Sequence, residues 1–489
     1  MRFARTIAFW VLAAMLLACH VVVIQHSLTA RFWEDEAFNL TVPLNLLAGL
    51  GYSSDGALSG STITPIDPRI STGPTVLLPV AGALALGGDQ VISARLVPVG
   101  FWIALIAGLF VLGRRVAGRW VALLGAAVPL AFNGMGSYSP IQGPADLLGE
   151  IPAAALLVWA LVVLPKRPWL AGLFVGLAVQ AKLIALLALP AFAVALWVLA
   201  PGRGWRRLLE TLKRAWLPLI LVGVPTPLFE LGALLTFGAS GYLDHLRALR
   251  DFVRGGGQNV APTTISQKLE TLGGAWFVPM WAAAATAALC VALIIAGLLI
   301  ARRRAVETRL PLMLATAAGI GALAFVGWWS TASHLPLWVR HPAPGVLAFF
   351  PVLVIVAVWG AREIASSRDG SGRMPQRALA ALLVAAVTAS VVAGVVGHLQ
   401  QTFQPRSETL ATQRADVRII SAWVEQTDTE WLAAQPWGAA IAPIVMSGAH
   451  VGMFDARAMR DVPRLTGMKC ETETLVAGAR YRVCAPPAH

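Results

Sequence analysis

Long apolar runs recur along this 489-residue chain, with basic residues in the joints between them. That alternation limits the fold more than any other feature. A helix of about 20 apolar residues crosses the roughly 30 Å hydrocarbon layer of a bilayer. Eleven such runs stand out: Thr6–Leu28, Val91–Gly113, Trp120–Gly136, Glu150–Pro165, Trp169–Ala181, Leu183–Ala200, Ala215–Gly238, Ala275–Ala301, Leu310–Thr331, Pro342–Gly360 and Ala378–His398. Only 13% of the residues are charged, against about 25% in soluble domains. So little charge cannot cover a water-facing surface of this size. The sequence predicts an all-α polytopic membrane protein.

The joints assign sides. Of 38 basic residues, 20 fall at one set of joints (Arg2/Arg5, Arg114/Arg115/Arg119, Lys166/Arg167, Arg203 to Arg214, Arg302 to Arg309, Arg362 to Arg377), with only Glu210, Glu307, Glu363 and Asp369 among them. The positive-inside rule puts that set, and the N-terminus, in the cytoplasm. The net charge of +13 then reflects topology, and nucleic acid is not an expected partner. The first run is longer than a signal-peptide core and no A-x-A site follows it, so it reads as a retained helix. Basic residues on both flanks of Trp169–Ala200 require two short crossings that turn near Lys182. Thr72–Gly88 reads as a helix at the outer interface. In Tyr242–Arg254, Leu243, Leu246, Leu249 and Phe252 form one stripe, which predicts a separate interfacial helix.

Residues 1–398 form the membrane part and 399–489 a small outer α/β domain. In that tail Arg406–Trp431 has helical periodicity, while Ala439–Met446 and Tyr481–Ala485 read as strands. The four cysteines lack metal-ligand spacing. Cys470 and Cys484 lie in the polar tail, where oxidising conditions favour a bridge.

The first outer loop opens Trp33-Glu34-Asp35-Glu36-Ala37. Three adjacent carboxylates beside a bilayer serve as a base, bind a metal, or are a solvated post-helix loop. The amphipathic run that follows places them at a helix start, where the helix dipole favours their charge. A base at the interface suits a reaction between a lipid-anchored substrate and a polar one. Asp146 and Glu150, in SYSPIQGPADLLGEIP, read either as the cap and first turn of the fourth helix or as partner carboxylates that bind the acceptor or a divalent cation opposite Asp35.

With its W-E-D-E-A opening, this loop resembles the acidic pair of the GT-C glycosyltransferases, in the branch of the protein O-mannosyltransferases and the lipid A aminoarabinose transferase. Other segments are similar in place and order: Arg69-Ile-Ser-Thr-Gly-Pro, Arg95-Leu-Val-Pro, Leu148-Gly-Glu-Ile-Pro, Gly176-Leu-Ala-Val-Gln-Ala-Lys182 and Arg340-His-Pro-Ala-Pro. The resemblance covers residues 1–360. It departs where the family often has Lys-Pro-Pro in the first outer loop; this chain has Pro68-Arg69 and Gly73-Pro74.

The resemblance implies an inverting hexosyl- or pentosyltransferase in the bacterial cytoplasmic (inner) membrane, acting on the periplasmic or extracellular side. The donor would be a polyprenyl-phosphate sugar and the acceptor a hydroxyl of a lipid, glycan or protein. Asp35 and Glu36 match the catalytic pair, with Asp35 as general base and Glu34 at the substrate. Arg69, Lys182, Arg340 and His341 are the candidate partners of the leaving lipid phosphate. A divalent metal ion would fall to Asp35 and Asp146. The alternative is a transporter or flippase of a lipid-linked or anionic substrate. It would gather ionisable groups at mid-depth, where Glu230 is the clear example.

Overall fold

The computed structural model describes residues 2–56, 60–65, 71–132, 141, 143–254, 261–304, 306–366 and 373–487. Its helices follow the chain as α1 (Arg2–Leu28), α2 (Glu34–Leu47), α3 (Pro74–Ala85), α4 (Gln90–Ala117), α5 (Arg119–Ala127), α6 (Glu150–Val163), α7 (Pro168–Ala181), α8 (Leu189–Leu199), α9 (Gly204–Gly223) and α10 (Pro225–Arg254). There follow α11 (Ile265–Gly274), α12 (Met280–Arg303), α13 (Arg309–Thr331), α14 (Ala343–Ala365), α15 (Arg373–Thr402), α16 (Leu410–Thr427) and α17 (Ile441–Ser447).

Each of the eleven apolar runs contains a helix. Among the described residues, seven helical segments are long and apolar enough to span a membrane. The runs at 119–131, 150–163, 168–181 and 183–199 are shorter apolar helices. α14 is the axis: 89% of its apolar window is buried, against 17% for α1 and 6% for the α9–α10 segment. It packs on α4, α6, α12, α13 and α15. The crossing with α12 depends on glycines. A Cβ on Gly297 would meet the Gly360 Cα at 2.2 Å, and one on Gly360 would meet the Leu293 carbonyl at 2.1 Å. Small residues let membrane helices approach this closely, where dispersion does the packing.

Three local expectations meet the structure differently. The chain does break at Lys182, whose backbone is extended (φ −155°, ψ 118°) before a short 3-10 turn at Leu183–Ala188 leads into α8. The separate helix expected at Tyr242–Arg254 is present within α10, beyond a break where Gly238 takes a left-handed φ of 69°; glycine alone adopts that φ without steric cost. Ala439–Met446 is not a strand. It contains α17, because the strands on either side run parallel and parallel neighbours need a crossover.

Those strands are β3 (Trp431–Ala434) and β4 (His450–Met453), after a two-residue pairing of β1 (Ser53–Ser54) with β2 (Thr64–Pro65) in the first outer loop. With β5 (Arg464–Thr466), β6 (Thr474–Ala477) and β7 (Arg482–Cys484) they form a five-stranded sheet in the order β4-β3-β5-β7-β6. β7 falls where a strand was expected, and Cys484 in it is bridged to Cys470. The helix expected over Arg406–Trp431 is α16, which starts on a capping box between Thr409 and Thr412. α17 packs on α2, so the sheet domain rests on the helix that carries the acidic loop.

Candidate functional site

Trp33 is extended (φ −118°, ψ 171°) and caps α2, so Glu34, Asp35 and Glu36 occupy its first turn. Successive residues of a helix point about 100° apart. Each carboxylate therefore meets a different wall. Glu34 turns to Arg31 (2.7 Å), whose guanidinium also reaches Glu408 at 3.7 Å. Glu36 turns inward to Arg95, and Asp35 turns to Arg340.

Glu36 is fully buried and saturated. Its Oε1 accepts from Arg95 Nε (3.0 Å) and from the Leu147 N–H (3.1 Å), and its Oε2 accepts from Arg95 Nη2 (2.6 Å). The remaining Arg95 donors go to the carbonyls of Leu28 (2.9 Å), Ala30 (2.8 Å) and Arg31 (3.0 Å). One guanidinium thus fixes the whole turn between α1 and α2. Fork-to-fork geometry with every donor used is what makes a buried pair tolerable.

Asp35 lies in a wetter place. Its Oδ2 accepts from Arg340 Nη1, and its side chain is 20% exposed. Arg340 precedes α14, with its guanidinium 4.6 Å from the ring centre of Trp338 and 5.8 Å from that of Trp33. Burial opposes its charge, but Asp35, with Glu150 and Asp146 behind it, prevails and raises the pKa of Arg340.

Glu150, in the first turn of α6, pairs with Lys182 at 3.1 Å; the acid is buried and the lysine 21% exposed. Gly149 permits that pairing. A Cβ there would sit 2.0 Å from the Ala181 carbonyl, so only glycine lets the start of α6 abut the end of α7. Asp146 is buried nearby but does not cap α6, whose cap is Gly149. His341 stacks on Trp338 (5.6 Å, 13°). Burial, then the charges of Arg340, Lys182 and Lys268, push its pKa down to about 3. It therefore enters the site as a neutral ring.

The fold brings together Asp35, Asp146, Glu150, Lys182, Arg340 and His341, from four stretches of chain. Glu34 stands apart, in a network facing the sheet domain. Arg69 lies outside the described residues. No group of three or more His, Cys, Asp or Glu side chains converges as a metal site among the described residues. The donors near Asp35 and Asp146 are instead interleaved with guanidinium groups, a poor setting for a divalent cation.

Two residues not foreseen from sequence support the site. Gln413 on α16 is fully buried, and its amide clamps Phe32 from both sides: Oε1 accepts the Phe32 N–H (2.6 Å) and Nε2 donates to the Phe32 carbonyl (2.8 Å). Beside it the Leu410 N–H donates to the Thr29 carbonyl (3.1 Å). Lys268 on α11 is buried, donates to the carbonyls of Trp329 (2.6 Å) and Ala332 at the end of α13, and adds positive potential near His341. An isolated Lys in a short amphipathic helix was its only trace in the sequence. A further tie joins the outer loop to the sheet: Asp55 accepts from Asn45 Nδ2 (2.9 Å) and the Val451 N–H (2.9 Å) and meets His450 Nδ1 at 3.1 Å.

No family model matches this chain, and no curated protein matches it. Solved structures do. ArnT from Cupriavidus metallidurans in the apo state is 14% identical over 98% of this chain and 98% of that one, with a TM-score of 0.53. ArnT from the same organism bound to undecaprenyl phosphate is 13% identical over 99% of this chain and 98% of that one, with a TM-score of 0.59. At these identities the likeness establishes the architecture: a multi-pass membrane protein with the GT-C fold of ArnT, from end to end.

Proposed function

We propose that the chain is a membrane glycosyltransferase that moves a sugar from a polyprenyl-phosphate donor to an acceptor hydroxyl, with Asp35 as the general base. The observation that carries the reading is the different fate of two adjacent acids. Glu36 is sealed into the scaffold, while Asp35 stands at a partly open edge among Arg340, Lys182 and Glu150. The neighbour of like fold that holds undecaprenyl phosphate supports the donor class. Charges gathered at one end of the bundle favour transfer over transport, which would gather them at mid-depth.

The chemistry follows from the exchangeable ion pair. The donor phosphate is a stronger bidentate partner for a guanidinium than a single carboxylate oxygen. As it arrives, Arg340 swings to the phosphate and Asp35 is released to face the acceptor. The acceptor O–H proton passes to Asp35. The acceptor oxygen bonds to the anomeric carbon as the bond from that carbon to the phosphate oxygen breaks, and polyprenyl phosphate leaves with the electron pair. Lys182 and Arg340 balance the charge on the leaving phosphate. Attack from the face opposite the phosphate inverts the anomeric carbon in one step. The positive-inside rule applied to the basic joints supports a location of this end of the bundle, and of the sheet domain, on the side away from the cytoplasm; the membrane in this reading is the cytoplasmic membrane of a bacterium.

The test is transfer of radiolabelled sugar from polyprenyl-phosphate sugars in membranes carrying wild type or Asp35→Asn. A drop of about 10²- to 10⁴-fold is expected on removing a general base. Unchanged transfer removes Asp35 from the reaction. Cysteine-accessibility labelling at position 35 from the cytoplasmic side alone would reverse the topology.

A further inference from the structure

The end of the bundle opposite the candidate site holds a second feature. There α1, α5, α14 and α15 do not close on one another, and a cleft of about 880 Å³ remains between them. Its origin is in the sequence of α15. That helix turns Ala381, Ala385 and Ala389 toward α5 and α14, where larger residues would fill the gap. The walls are otherwise nearly all apolar. The mouth is formed by Arg362 at the end of α14 and Arg377 near the start of α15.

Neither guanidinium has a carboxylate partner among the described residues. Glu363, beside Arg362, is turned to Arg304 at 3.4 Å. Arg377 uses Nε on the Ala365 carbonyl (3.3 Å) and keeps its other donors. Two arginines with no acid partner among the described residues, above an apolar slot, form an amphipathic receptor: a phosphate above, a hydrocarbon chain below. The slot follows α15 from Arg377 to Val392, about 22 Å at 1.5 Å per residue. That is about half as long again as one leaflet's roughly 15 Å, so the slot has room for one fully extended acyl chain.

We propose that this cleft is a binding site for an anionic glycerophospholipid of the leaflet facing the basic joints, with one acyl chain in the slot and its phosphate on Arg362 and Arg377. The site is separate from the transfer chemistry: it lies at the other end of α14, and its ligand belongs to the opposite leaflet. Charge complementarity selects the occupant. A zwitterionic lipid brings its own cation to the two arginines and gains less from them.

The experiment uses the full chain in phosphatidylcholine vesicles doped with spin-labelled phosphatidylglycerol or spin-labelled phosphatidylcholine. The motionally restricted fraction of the label measures binding. Wild type should prefer phosphatidylglycerol, and Arg362→Gln and Arg377→Gln should each reduce that preference about fivefold. Ala385→Leu, a substitution easily borne by a membrane helix, should lower the restricted fraction of both labels by narrowing the slot. Equal restriction of the two labels by wild type overturns the proposal, as does a preference that survives both Gln substitutions or binding indifferent to Ala385→Leu. Added inorganic phosphate separates the sources: it should leave the restricted fraction intact, and full displacement would show a simple anion site with no role for the chain.

Discussion

Asp35 and Glu36 are neighbours on one helical turn, and the structure treats them as different kinds of residue. Around Glu36 everything is dry and every hydrogen-bonding atom is used; its guanidinium partner spends its remaining donors on the backbone of the α1–α2 turn. Around Asp35 water has access, and the arginine it holds lies between two aromatic faces with a choice of acids nearby. A saturated pair resists exchange, since parting it strands charges in a low dielectric. A partly exposed pair can trade partners at small cost. Two acids one residue apart thus separate into architecture and chemistry through their second partners.

That contrast breaks or sharpens at measurable points. Arg95→Ala should have the largest effect, leaving Glu36 charged and buried at a cost of about 3–5 kcal/mol; thermal unfolding of the detergent-solubilised protein reads it. If the variant melts with wild type, the Glu36 wall is no scaffold. Asp35→Asn should melt within about 1 kcal/mol of wild type, since its ion pair is partly exposed, while losing transfer as described above. Should stability fall instead, the two acids are alike after all.

Gln413→Leu strands the N–H and carbonyl of Phe32, the residue just before the helix cap Trp33. The expected cost is about 1–3 kcal/mol per stranded group at most, with faster hydrogen exchange at the Phe32 amide. An unchanged exchange rate would mean that α16 does not hold that strand. The smallest effect concerns the Asp55–His450 tie. The Asp55 hydrogen bond outweighs burial and raises the His450 pKa above 6.5. The stabilisation it gives is full below the ordinary histidine pKa and is lost as pH rises through the higher, folded-state value. Exchange at the Val451 amide should therefore quicken beyond its intrinsic rate as pH rises above 6.5 and through the raised His450 pKa, and His450→Phe should remove that excess. Chelation with EDTA tests the donor set near Asp146: transfer should persist, and its loss would place a cation among those acids.

Apolar runs and basic joints were legible because each is written locally, in 15 to 25 consecutive letters. Arg340 and Lys182 were legible as well, since a charge at the rim of an apolar run stands out against its surroundings. The pairings were not. Arg340 reaches Asp35 across 305 residues and Gln413 reaches Phe32 across 381, and no local pattern encodes a partner at such a distance. The same limit explains α17. Its short apolar run suits strand or helix equally, and only the parallel direction of β3 and β4, set by their partners, decides. Gly238 was legible as the end of an apolar run, since the stripe from Leu243 to Phe252 beyond it has its own helical spacing.

The clamp on Phe32 also sets a clock. The ribosome has made more than four fifths of the polypeptide before Gln413 exists, so the Phe32 N–H and carbonyl wait for their partner until late in synthesis. A chain cut short anywhere before α16 would lack that clamp and leave the α1–α2 turn to Arg95 alone.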